Sequence, residues 1–395
     1  MMALSQWLVT IAAILLPIAA ASGWYLGRRA SDRSRRVRVS ELSSSYFRGL
    51  NYLLNEQPDK AIEVFLQLAE FNRDTVETHL ALGNLFRRRG EVDRAIRVHQ
   101  HLIARPNLSV EEKTVAMLEL GEDYMRAGLL DRAETLFSDL VAMHAQVPSA
   151  LKHLIGIYQH EKDWNEAIAH ARRLEKISDE SQGAVIAQFY CELAEQSRSA
   201  KNFTEAHSYL EQAFESQPES VRAHIVLGHL ELQQGDLKAA AIAFERVATL
   251  DVDYVPEILP QLLDCYARMG QMQRAEKFLL DIMDRSRGVA PVIALAKLFA
   301  STRGEPIAIE FLTRQLRQRP SVRGLMTLIV TDLHKSKGEA RENLLVLQDL
   351  ARRLLEGQSA YRCTRCGFGA KSHHWQCPSC KTWGSVRPIH GVPGE

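Results

Sequence analysis

Cysteine is scarce in this chain. There are six in 395 residues, and four of them fall between Tyr361 and Ser385. The other two, Cys191 and Cys265, sit alone among apolar residues and read as small core side chains. Strand-like alternation is almost absent, so an all-α body is expected. Also missing are a glycine-rich phosphate loop, an HExxH pair and a GxSxG elbow, so the chain reads as a non-enzyme. Charge is absent altogether from residues 1–27.

That uncharged start, "MMALSQWLVTIAAILLPIAAASGWYLG", is long enough to cross ~30 Å of hydrocarbon as a helix. Trp7 opens it, and Trp24 and Tyr25 close it at the depth where interfacial aromatics belong. Eight large aliphatic residues at roughly −0.4 kcal/mol each favour insertion by about −3 kcal/mol. Pro17 kinks such a helix without forbidding it. A cleaved secretory signal carries its positive charge before the apolar core. Here Arg28, Arg29, Arg33, Arg35, Arg36 and Arg38 follow it. A retained single-pass anchor over 1–27 is therefore expected, with a basic linker over 28–43 and everything downstream in the cytoplasm. Net charge is +1, whereas residues 28–38 carry +5 and residues 361–395 carry +4, which leaves about −8 between them. An acidic body argues against nucleic acid as a partner.

From 44 to 356 the chain repeats itself. "LGNLFRRRGEVDRAIRVH" around Gly83 matches "LGEDYMRAGLLDRAETLF" around Gly121 and "LGHLELQQGDLKAAAIAF" around Gly228. Anchored on alanine, the repeats place Ala61, Ala95, Ala133, Ala167, Ala206, Ala240, Ala275, Ala308 and Ala340 at spacings of 32 to 39 residues. Antiparallel helices approach closely only where a small side chain lies at the contact. Gly49, Gly83, Gly121, Ala194, Gly228 and Ala296 supply the matching small residue on the first helix. Phe65, Phe137 and Phe244, four after the alanine, are expected to fill space against the next repeat. The pattern resembles the tetratricopeptide repeat, which implies a solenoid of about nine helix pairs with a concave face for peptides or proteins. By that resemblance Asn84, Arg87, Glu122, Met125, Glu195 and Arg198 are candidate groove residues.

The cysteine cluster ends the chain. Cys363-x2-Cys366 and Cys377-x2-Cys380 lie ten residues apart, the pattern of a four-thiolate metal site in a reducing compartment. Gly367 follows the first pair where the chain must turn, and Pro378 stiffens the second. A module this small cannot build a core, so the metal supplies most of its folding free energy, ~10–16 kcal/mol for structural zinc. One zinc ion is expected, with iron as the alternative. His373 and His374 between the pairs read as surface residues, because four thiolates already complete the tetrahedron. Tyr361, Phe368, Trp375 and Trp383 give the ribbon, placed at 357–390 with a tail at 391–395, more aromatic surface than it can bury. It is expected to pack on the end of the solenoid or on a partner.

The order of anchor, basic collar, acidic repeats and metal ribbon, with "YRCTRCGFGA", "WQCPSCKTWGS" and "RPIHG" at its end, resembles the lipopolysaccharide assembly protein B family of Gram-negative bacteria. That resemblance implies a rubredoxin-like ribbon with Cys363, Cys366, Cys377 and Cys380 as ligands, at the bacterial inner membrane. It further implies an adaptor that promotes degradation of the lipid A pathway deacetylase (LpxC) by the membrane AAA+ protease FtsH. Another inner-membrane regulator and the lipopolysaccharide export proteins are further implied partners. A general scaffold recruiting lipopolysaccharide synthesis and export proteins fits the same architecture. An electron-transfer protein, requiring iron, and a zinc-ribbon nucleic-acid binder are weaker alternatives.

Overall fold

The computed structural model describes residues 47–49, 51, 52, 57, 60–65, 76–333 and 336–392. The expected anchor, the basic linker and the six arginines of 28–38 lie outside the described residues. Among the described residues no helix is long and apolar enough to cross a membrane. The chain forms two compact units, Met1–Ile157 and Tyr158–Glu395.

The first unit is helical at 47–49, 51–52 and 60–65, and continues through α1 (Val76–Arg88), α2 (Val92–Ile103), α3 (Val110–Ala127) and α4 (Leu130–Ala142) into α5 (Val147–Glu161). The second unit takes up the end of α5 and runs through α6 (Trp164–Ile177), α7 (Gly183–Ser199), α8 (Phe203–Ser216), α9 (Val221–Gln234) and α10 (Leu237–Leu250). A 3-10 turn (Val252–Tyr254) leads to α11 (Val255–Arg268), α12 (Met272–Arg285), α13 (Ala290–Thr302), α14 (Glu305–Gln318), α15 (Val322–Leu333) and α16 (Glu339–Leu355).

Helix ends follow from local chemistry. At the start of α3 the Ser109 hydroxyl accepts from the Glu112 N–H while the Glu112 carboxylate accepts from the Ser109 N–H, a reciprocal cap. The same helix ends on Gly128 at φ 75°, whose N–H donates to the Met125 carbonyl. Only glycine adopts that conformation without strain, which explains why a turn glycine recurs in the repeat.

The repeat alanines do what their size demands. Ala61, Ala95, Ala133, Ala167, Ala206, Ala240, Ala275 and Ala308 are all buried. Ala340 is not: it lies exposed in the first turn of α16, where Ala351 is the buried residue instead. The large residue four after the alanine also has a nearer neighbour than expected. A Cβ added at Gly121 would stand 2.5 Å from the Phe137 ring, and one at Gly228 would stand 2.4 Å from the Phe244 ring. The aromatic therefore fills the glycine notch of its own hairpin, and Phe137 also reaches the next repeat, where it stacks on His153 at 4.7 Å. Cys191 and Cys265 are fully buried, and burial raises both thiols, Cys191 to about 12.

After α16 the chain changes character. Strands β1 (Tyr361–Cys363), β2 (Gly369–Ala370) and β3 (Val386–Pro388) form an antiparallel sheet in the order β2-β1-β3. Cys363 pairs with Val386 and Tyr361 with Pro388, so the centre strand delivers the first cysteine to the inside of the ribbon.

Candidate metal centre

Two matching turns build the site. The Gly367 N–H donates to the Cys363 carbonyl at 3.0 Å, and the Lys381 N–H donates to the Cys377 carbonyl at 2.9 Å. Gly367 takes φ 77° and Lys381 φ 57°, so each CxxC folds back on itself through a left-handed residue. The glycine was legible in the sequence. Its counterpart, a lysine, carried no such signal.

All four Sγ atoms lie within 4.8 Å of one another, with Cys363–Cys380 and Cys366–Cys377 each at 3.7 Å. A zinc–sulfur bond of ~2.3 Å in a regular tetrahedron gives an edge of about 3.8 Å. The thiol set therefore fits a tetrahedral ion, and no sulfur pair is close to the ~2.05 Å of a disulfide. The Ser385 hydroxyl, 3.3 Å from Cys363 Sγ, together with backbone N–H groups, holds that thiol down to about 6. The Thr382 hydroxyl and N–H likewise lower Cys380. Cys377 is pushed up to about 11 by burial, which a bound cation would reverse. Four sulfurs complete a tetrahedron and leave no open position for water or a substrate.

The ribbon does not stand alone. On one side Gln159 of α5 accepts from both the Gln376 amide at 3.0 Å and the Trp383 indole N–H at 2.9 Å. Trp383 meets Trp164 and Phe189 edge-on at 6.3 and 6.1 Å. On the other side Trp375 stacks on Tyr254 at 5.2 Å, Tyr361 donates to Glu257, Arg387 donates to Asp251, and His390 lies 3.1 Å from Asp253. Between the two sides sits Arg222 of α9, its guanidinium 5.5 Å from the centres of both the Trp375 and the Trp383 rings. Arg222 is only 2% exposed and pairs with Glu192 at 2.8 Å and Glu195 at 2.9 Å. Burial works against its charge, but the two carboxylates outweigh burial and its pKa rises above the usual arginine value.

The ribbon thus sits on α5, α6, α7, α9 and the turn into α11, and not on the end of the solenoid, one of the two places expected. The tail after it meets the start of α15, where the Val322 N–H donates to the Val392 carbonyl at 2.9 Å. His373 is likewise no surface residue. Its ring packs between Tyr254, Tyr361 and Trp375 at 4.5 to 5.7 Å, and burial first, then nearby cations, lower its pKa to about 4. Arg222, Gln159 and the acidic "DVDYVPE" turn were not singled out by sequence reasoning. The signals were present: a lone arginine on an apolar helix face, and an acidic body opposite a ribbon of charge +5.

The candidate groove residues fall in both units. In the first, Arg87 of α1 binds Glu119, Glu122 and Asp123 of α3 at 2.6, 2.8 and 2.8 Å, and Asp123 also holds the buried His99 at 2.5 Å. Glu122 reaches His153 at 3.2 Å, which with Arg87 lowers its pKa. Asn84 and Met125 are half-buried, and Asn84 Oδ1 has no hydrogen-bond partner among the described residues. In the second unit, Glu195 is committed to Arg222 beneath the ribbon, and Arg198 donates to Gln233 at 3.2 Å.

Comparison with known proteins agrees with both parts. Residues 361–388 match the rubredoxin metal binding domain, and 78–111, 118–182 and 194–252 match tetratricopeptide repeats. A PPR repeat matches at 261–286. The chain is 38% identical over 382 residues to lipopolysaccharide assembly protein B of Escherichia coli K12, covering 96% of this chain and 98% of that one. It is 36% identical to the protein of the same name from Haemophilus influenzae, covering 95% and 97%. Among solved structures, the C-terminal part of a TPR repeat-containing protein from Cytophaga hutchinsonii has 13% identity and a TM-score of 0.41, over 72% of this chain and 99% of that one.

Proposed function

The chain belongs to the lipopolysaccharide assembly protein B family, and from that premise we propose that it acts in lipopolysaccharide assembly as an adaptor at the bacterial inner membrane. Its client is the lipid A pathway deacetylase LpxC and its effector the membrane protease FtsH. An anchor at 1–27 keeps it in the membrane of the protease, with repeats and ribbon on the cytoplasmic side. A client held by the repeats then meets the protease at high effective concentration, with no catalytic group of the adaptor's own. Another inner-membrane regulator acts on the same protein.

The observation that carries this reading is the ribbon's seat. A four-thiolate module clamped over α5 to α11 through Arg222 has no open coordination position and is a structural part of the repeat surface. In this reading the ion is zinc, held by Cys363, Cys366, Cys377 and Cys380, and purified protein is colourless where iron would make it red. Asn84, Arg87, Glu122 and Met125 in the first unit offer charged and apolar groups for the client.

The test is the half-life of the deacetylase after a translation block in cells depleted of this protein. It lengthens on depletion and is shortened again by the wild-type chain but not by Cys363→Ser. A lifetime that depletion leaves unchanged overturns the adaptor reading in favour of a general assembly scaffold.

A further inference from the structure

Every other repeat carries phenylalanine, leucine or alanine four residues after its alanine, but the repeat of α1 and α2 carries His99. The ring does the same packing, since a Cβ added at Gly83 would stand 2.3 Å from its Nε2. That nitrogen is buried with no hydrogen-bond partner among the described residues. Asp123 on α3 is a second departure. It lies two residues after Gly121, where Leu85, Leu230 and Leu298 are buried at the matching place of their own repeats. His99 and Asp123 are both fully buried. Two ionisable side chains thus stand where other repeats use apolar ones.

Burying such a pair costs desolvation that its mutual attraction seldom more than repays, so stability does not account for it. Geometry does. The Asp123 carboxylate accepts from His99 Nδ1 at 2.5 Å on one oxygen and from Arg87 at 2.8 Å on the other. Arg87 also reaches Glu119 at 2.6 Å and Glu122 at 2.8 Å, so one guanidinium binds three carboxylates of α3. Both helices of one repeat, α1 and α2, are thereby tied to the first helix of the next at a single carboxylate. Apolar contact is non-directional and lets packed helices slide, whereas hydrogen bonds weaken steeply away from their preferred angles. The rotation between successive repeats sets the curvature of a helical array and the shape of its concave face. We infer that His99 and Asp123 are positioning residues, which lock the rotation between the α1–α2 and α3–α4 hairpins and so fix the groove that Arg87 and Glu122 line. The consequence for the client rests on the adaptor reading; the locked joint does not.

The test compares the full wild-type chain with the double variant His99→Phe, Asp123→Leu, which installs the residue types that other repeats use. Spin labels on non-canonical residues at 88 and 126, both exposed and at matching places in consecutive repeats, report the spread of distances between α1 and α3. The variant is expected to melt at or above the wild-type temperature, and its distance distribution is expected to broaden. Its affinity for the purified deacetylase is expected to fall by at least about fivefold. A distribution as narrow as that of wild type overturns the inference. So does a variant that melts well below wild type, because the pair would then be a packing element. Unchanged affinity beside a broadened joint overturns it as well. A wild-type chain that binds no deacetylase sinks the adaptor reading instead, and the distances and melting temperatures still decide the joint.

Discussion

Arg222 shows what one residue decides in this protein. A guanidinium lying 5.5 Å from the centres of two indoles is held by cation–π attraction to both and by two carboxylates. Arg222→Ala removes the cation and leaves Glu192 and Glu195 facing the ribbon. Because those carboxylates are partly exposed and can rehydrate, we expect a loss of about 2–4 kcal/mol. Urea unfolding measures it, and a red shift of tryptophan emission reports Trp375 and Trp383 entering water. His373 supplies a pH dependence. Its pKa in the folded chain is about 4, below the ordinary 6.5, so the folded state favours the neutral ring. The contribution is therefore present above pH 6.5 and is lost as pH falls from 6.5 towards 4. His373→Phe keeps an aromatic ring that cannot protonate. It should move the acid release of the ribbon, followed by tryptophan emission, to lower pH; an unchanged midpoint would sink this account of the ring. Neither residue was singled out as part of the site, because each is enclosed only when Tyr254 or the ribbon's tryptophans are brought to it from far along the chain.

At the scale of the element, the hairpin rests on a notch and a ring. Glycine to alanine in a helix normally stabilises by about 1 kcal/mol through propensity. Gly228→Ala should do the opposite and cost about 1–3 kcal/mol, since the new methyl would stand 2.4 Å from the fully buried Phe244 ring. Gly156→Ala, whose nearest neighbour is 3.9 Å away, should be neutral or stabilising. Thermal unfolding of the two variants reads the sign directly, and two changes of the same sign would contradict the notch. The period of buried alanines was open to sequence reading because each small residue answers a local steric demand repeated in every hairpin. The target of the aromatic was not, since a phenylalanine on a second helix can fill either neighbouring space. The repeat also ends earlier than its alanines suggest. In α16 the buried residue has moved to Ala351, and Leu347, Leu350 and Leu354 beside it stay exposed.

For the whole molecule, the cysteine spacing predicted a metal ribbon, and its surplus of aromatic side chains predicted that it packs on the end of the helical array or on a partner. They did not fix where it sits, because that depends on side chains brought together from α5 to α11. A module this small is expected to fold around its ion, and the folded ribbon completes the seat, so the two should be coupled. Removing the metal with a strong chelator should unfold residues 361–388, redden tryptophan emission and open the chain to protease after α16. Far-ultraviolet circular dichroism of the helices should change little. A helical signal that collapses together with the ribbon would mean that the array depends on the metal throughout. The central claim is that this assembly delivers a client to a membrane protease. Its most direct test is the rate at which purified FtsH in liposomes degrades the deacetylase, with and without the full chain in the same bilayer. The account predicts an acceleration of at least about tenfold by the wild-type chain and none by Cys363→Ser. Equal rates with and without the wild-type chain would contradict it.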